Sequence, residues 1–171
     1  MITFEELLEK TINVVHAEIT SSGGFTSHFC AMDLCGRLTV ITLSNCCHPD
    51  ALGFALHIMS AYSRHFQPAS IVLVFGRPRF DPVTNAVDSI MPTVTGFSFD
   101  NDICSVTGYE AGDSKAPDIQ AYPFNDLSPY LHLFKEPRPK NAAERAEAEI
   151  EWALIHRILS PIHTHSSVGN N

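Results

Sequence analysis

Cys46-Cys47-His48, directly ahead of Pro49-Asp50, is the densest group of reactive side chains in the sequence. At the start of a helix, exposed backbone donors and the helix dipole lower a thiol pKa and prepare a thiolate nucleophile. Adjacent side chains point in different directions, however, and Asp50 works against a thiolate. No third group is placed beside them by spacing alone. Structural thiols beside a helix cap are therefore the plainer reading of Cys46 and Cys47, with catalysis as the alternative.

Metal binding is a second chemistry open to the same region. His28, Cys30 and Cys35 could join Cys46, Cys47 or His48, because zinc accepts thiolate and imidazole in a tetrahedron. The sequence has neither paired C-x-x-C knuckles nor H-E-x-x-H, so neither a metal nor any other cofactor is expected. His163 and His165 read as residues of a tail. Arg77 and Arg79 follow an expected central strand, where the end of a sheet can form a crevice for an anion. No phosphate-cradling G-x-G-x-x-G or G-x-x-x-x-G-K-[ST] accompanies them. Solvent or an internal acid is the simpler partner for these arginines, as it is for Lys135, Arg138 and Lys140. A G-x-S-x-G elbow and the kinase signatures are also lacking, which leaves no local triad.

These residues need elements to position them, and composition says that such elements should form. The chain has 171 residues, 44% hydrophobic and 18% charged, which suits one ordinary core. A net charge of -8 opposes general binding to duplex nucleic acid, which requires a basic surface. Met1-Ile2-Thr3-Phe4-Glu5-Glu6 has neither the basic start nor the apolar run of a secretory signal, and no stretch is apolar enough for a membrane span. Five cysteines, two of them adjacent, fit reduced thiols better than a disulfide framework. A cytoplasmic protein is expected.

Phe4, Leu7, Leu8, Ile12, Val15 and Ile19 recur at helical spacing behind the T-x-x-E box of Thr3 and Glu6, and Ser21-Ser22-Gly23-Gly24 ends that first helix. Residues 25–43 alternate as a hairpin around Asp33-Leu34-Cys35-Gly36. A second helix follows Pro49 to about His65. Leu52, Ala55, Leu56, Met59 and Tyr62 line one face, while Phe54, Ile58 and Ala61 widen it, implying deep burial or a second packing partner. Ser70 to Phe75 is apolar on both faces and reads as the central strand, ended by Gly76-Arg77-Pro78-Arg79. A second hairpin spans about 86–96 and 103–109, with Pro92 marking an edge, a strand end or a bulge. Residues 110–140 read as a long excursion with a short helix at 127–134. A last helix starts at Asn141 and offers Ala146, Ile150, Ala153, Leu154 and Ile158 as its packing stripe, beside a solvated face of Glu144, Glu147 and Glu151.

The expected fold is α+β: one domain over residues 1–160 in the order α-ββ-α-β-ββ-α, its sheet mixed or mainly antiparallel and covered by helices, with a flexible tail at 161–171. The function that fits is interaction or regulation through protein contacts. A homodimer is expected because helix two is apolar around much of its circumference and hairpins leave strand edges for a partner to cover. The alternative is a small-molecule or metal-dependent enzyme with a Cys/His site.

Overall fold

The computed structural model describes residues 2–43, 49–100, 103–110, 120–122 and 139–159, with backbone alone for 49–52, 77, 100, 103–110, 120–122 and 159. Helix α1 runs Phe4–Ser22, strands β1 and β2 run His28–Met32 and Leu38–Thr42, and α2 runs Pro49–Phe66. Strands β3, β4, β5 and β6 follow at Ser70–Phe80, Val87–Asp100, Ile103–Glu110 and Gln120–Tyr122, and helix α3 closes the series at Ala142–Leu159. The expected element order holds, with β6 as an added short strand inside the excursion. The helix expected at 127–134 and the tail at 161–171 lie outside the described residues.

All strands join one sheet in the order β2-β1-β3-β4-β5-β6, every neighbouring pair antiparallel. The α+β domain is thus wholly antiparallel in its sheet. β3 is central as its composition requires, because its alternate residues enter two different cores. Val72 and Val74 meet Leu8, Ile12 and Val15 of α1, whereas Ile71, Leu73 and Phe75 face α2. Each layer removes branched apolar side chains from water, at roughly 1.5–3 kcal/mol per fully buried side chain.

α1 begins as its sequence dictates. Thr3 Oγ1 accepts from the Glu6 N–H, Glu6 Oε2 accepts from the Thr3 N–H, and Gly23 closes the helix at φ 71 in the left-handed region. The helix seats on the sheet where Gly96 of β4 leaves room for the Phe4 ring.

The extra apolar face of α2 has its partner inside the chain at Ile58 and Ala61, whereas Phe54 stays 47% exposed. Ala55, Leu56, Met59 and Tyr62 are buried, and so are Ile58 and Ala61, because α3 packs antiparallel along the helix. Trp152 of α3 sets its ring edge-on to Tyr62 and Phe66, with centroids 5.3 and 5.4 Å away, and Arg64 donates to Glu151 at 2.9 Å. Ala148 and Ile155 complete the buried face of α3. The stripe expected to pack, Ala146, Ile150, Ala153, Leu154 and Ile158, instead faces solvent. α3 has two apolar faces, with Ile150, Leu154 and Ile158 about a third of a turn from Ala148, Trp152 and Ile155, and the Trp152 ring contacts and the Arg64–Glu151 pair select the latter.

Candidate functional site: the bare edge of β2

β2 ends the sheet on one side, and its outer edge, unpaired among the described residues, has a defined hydrogen-bonding phase. The Asp33 N–H donates to the Arg37 carbonyl at 3.0 Å and the Leu43 N–H to the Ser27 carbonyl at 2.8 Å, so the odd-numbered residues of the β1–β2 ladder form its hydrogen-bonded pairs. In an antiparallel ladder such pairs alternate with non-bonded ones. The N–H and C=O groups of Leu38, Val40 and Thr42 therefore point away from β1, toward the open edge.

The side chains on that edge are uncharged. Thr39 and Ile41 lie on the face covered by α2, with Thr39 hydrogen-bonded to the Tyr62 hydroxyl. Leu38 and Val40 lie on the face of α1, yet α1 packs on β3 and β4, and they stay 42% and 40% exposed. Natural edges are blunted with lysine, proline, bulges or covering segments. β2 has no lysine, proline or bulge. The nearest cation, Arg37, is held by Asp33 at 2.7 Å, and the Asp33 carboxylate also accepts from the N–H groups of Cys35 and Arg37.

The contrast is the other uncovered ribbon. β3 pairs with β1 only as far as Val74, and β4 pairs with β5 only from Thr93, so Phe75–Phe80 and Val87–Pro92 pair with each other alone among the described residues. This arm exposes Phe80, Val87 and Ile90, but its edges contain Arg77, Pro78, Arg79 and Pro92, and the register slips at Arg79/Phe80. Those features discourage a further strand. Pro92 thus sits where its missing donor costs no bond to β5.

Among the described residues, those singled out from sequence do not assemble a reaction centre. Arg77 and Arg79 belong to β3, opposite Met91 and Ser89, because pairing with β4 carries the strand past Gly76 and Pro78 instead of ending it in a loop crevice. His28 and Cys30 lie in β1, with the His28 Nδ1 donating to the Thr26 carbonyl at 2.7 Å, whereas exposed Cys35 lies in the turn. Burial pushes the Cys30 thiol up to about 11, the opposite of what a nucleophile or metal ligand needs. Among the described residues no group of three His, Cys, Asp or Glu side chains could hold a metal ion, so the candidate ligands His28, Cys30 and Cys35 do not form such a group by themselves. Cys46, Cys47, His48, Lys135, Arg138, His163 and His165 lie outside the described residues. Lys140 precedes α3, its N–H donating to Glu144 at 2.8 Å.

One feature escaped the sequence reading: an open polar cleft of about 400 Å³ between the end of α2 and the start of α3, lined by Arg64, His65, Gln67, Arg145 and Glu149. Its charges are mixed, and Arg64 is already engaged by Glu151. It lacks the enclosed apolar wall typical of small-molecule sites. Only the antiparallel contact of α2 with α3 creates it, so no local spacing could have revealed it.

Comparison with protein-family models, curated proteins and solved structures gives no match to this chain. The described helices include none long and apolar enough to cross a membrane.

Proposed function

We propose that this chain works through protein contacts and that its first partner is a second copy of itself, joined along β2. The observation that carries this reading is the unblunted edge of β2, with three residues directing their backbone groups outward and two half-exposed apolar side chains. A two-fold axis at Val40 sets Leu38 opposite Thr42 of the second copy, Val40 opposite Val40, and Thr42 opposite Leu38. Each is a hydrogen-bonded pair exchanging two bonds, and each matches apolar or β-branched side chains without juxtaposing like charges. That last point matters in a chain of net charge -8, where most other self-contacts would bring acids together. The product is one sheet running through both copies.

The setting that suits this reading is a reducing cytoplasm, since Cys30 and Cys35 are free thiols. The test is Val40→Lys, which places two ammonium groups opposite one another across the axis while each stem covers the neighbouring apolar surface. Light scattering should show that the variant has lost the mass contributed by the β2 contact, with its circular dichroism unchanged. A mass that the substitution leaves untouched overturns the proposal.

A further inference from the structure

The stripe that α3 leaves uncovered is a second surface, independent of β2. Ile150, Leu154 and Ile158 recur every fourth residue and are 62%, 57% and 60% exposed, while Ala148, Trp152 and Ile155 turn inward. Isolated apolar side chains on a surface need no explanation, but a continuous helical row of them usually marks a contact. Ala143 and Ala146 flank its amino-terminal end with small side chains that allow another helix to approach closely.

The charge pattern of α3 indicates what covers the row. Its first ten residues hold Glu144, Glu147, Glu149 and Glu151 against Arg145, whereas its last turn holds His156 and Arg157. Two such helices side by side in parallel would set acidic end against acidic end and align their macrodipoles. An antiparallel pair sets the acidic end of each beside the basic end of the other and opposes the dipoles. Antiparallel pairing of identical helices is also what a two-fold axis produces.

We propose that α3 pairs with α3 of a second copy in this antiparallel sense, through Ile150, Leu154 and Ile158. β2 is the first strand of the sheet, and α3 packs on α2 with Trp152 and Ile155 in the cluster that contains Phe97 and Phe99 of β4. One contact therefore leaves the other free. If the β2 reading holds as well, the chain has two isologous surfaces, which close as a tetramer when their two-fold axes cross at right angles; the α3 contact itself does not rest on that reading.

Light scattering at micromolar concentration on the full chain, Leu154→Glu, Val40→Lys and their combination separates the two claims. Leu154 is exposed, so the substitution should leave the fold intact by circular dichroism; Glu147→Lys, which upsets the charge pattern without touching the apolar row, is the second probe. The expected masses are about four times 18.9 kDa for the chain, half that for each of Leu154→Glu and Val40→Lys, and a monomer for the combination. Glu147→Lys should lower the tetramer fraction, more strongly at low salt. If Leu154→Glu leaves the mass of the parent chain unchanged, the α3 contact is overturned whatever Val40→Lys does. If Leu154→Glu converts a dimer to a monomer while Val40→Lys has no effect, α3 stands and the β2 reading falls. A monomeric parent chain overturns both.

Discussion

Alkylation of Cys30 in the folded chain should be far slower than alkylation of the same residue after unfolding, and the factor follows from its surroundings. On β1 the thiol is flanked by Val40 and Val72 in the register, and burial raises its pKa from 9.0 to about 11. At pH 8 that change lowers the thiolate fraction from roughly one-tenth to roughly one-thousandth, about 100-fold, since only the thiolate attacks. A thiolate of higher pKa is intrinsically more nucleophilic, with a Brønsted coefficient near 0.4–0.5, which offsets about 8-fold of the loss. Ionisation then leaves roughly a 10-fold deficit, which restricted access multiplies. Iodoacetamide labelling at pH 8, with and without urea and read by site-resolved mass spectrometry, measures the ratio. Cys35, exposed in the turn, should label readily in the folded chain. Equal rates for Cys30 in folded and unfolded chains would refute the argument and restore this thiol as a candidate for chemistry. The same shift has a stability consequence. A thiol kept protonated by the fold contributes fully below about pH 9.0 and loses that contribution as pH rises toward about 11.

Gly96→Ala should destabilise by about 1–3 kcal/mol in urea unfolding, since the new Cβ would lie 2.6 Å from Phe4 Cζ; its cost should shrink in a Phe4→Ala background, and simple additivity would contradict the contact. Thr93→Val and Thr95→Val should each stabilise by about 1 kcal/mol, because both hydroxyls are buried without a hydrogen-bond partner among the described residues, and a loss of stability would reveal a polar role there. Trp152→Ala should cost about 2–4 kcal/mol and loosen α3 from α2, seen as faster amide exchange in α3 than in α1. The N–H groups of Arg37 and Thr84 are the foremost partners holding the Asp33 and Asp81 carboxylates below their usual 3.8, so both turns gain stability above that pH and lose it as pH falls through the lower folded values. Amide exchange at Arg37 and Thr84 should accelerate in that acid range, and in Asp33→Ala, which removes the acceptor, the Arg37 amide should lose its acid-dependent protection.

The legible parts of this fold were those fixed by neighbours in sequence. Thr3 and Glu6 specify their own reciprocal cap, Ser70–Phe75 requires two apolar environments, and the wide apolar girth of α2 demands a second partner, which α3 supplies. What could not be read depends on distant pairing. Gly76 and Pro78 look like the end of a strand until Pro92 and Ile90 of β4 provide a ladder for them. On α3, Ile150, Leu154 and Ile158 form as good a stripe as Ala148, Trp152 and Ile155, and only Tyr62, Phe66 and Arg64 of α2 decide between them. The edge position of β2 is likewise a property of strand order: Leu38–Thr42 differs little in composition from a strand flanked on both sides. Hairpins imply that free edges exist, but not which one is left unblunted.

Residue-resolved amide hydrogen exchange along β2 addresses self-association at that edge most directly. The amides of Thr39 and Ile41 are tied to β1 and should be protected whatever the assembly. Those of Leu38, Val40 and Thr42 point outward and have no partner among the described residues, so on this account a second copy's β2 supplies it. The account predicts that these three exchange as slowly as Thr39 and Ile41 in the parent chain and become fast in Val40→Lys or on dilution. An alternating pattern in the parent chain at high concentration, with Thr39 and Ile41 slow but Leu38, Val40 and Thr42 exchanging at unprotected rates, would contradict it.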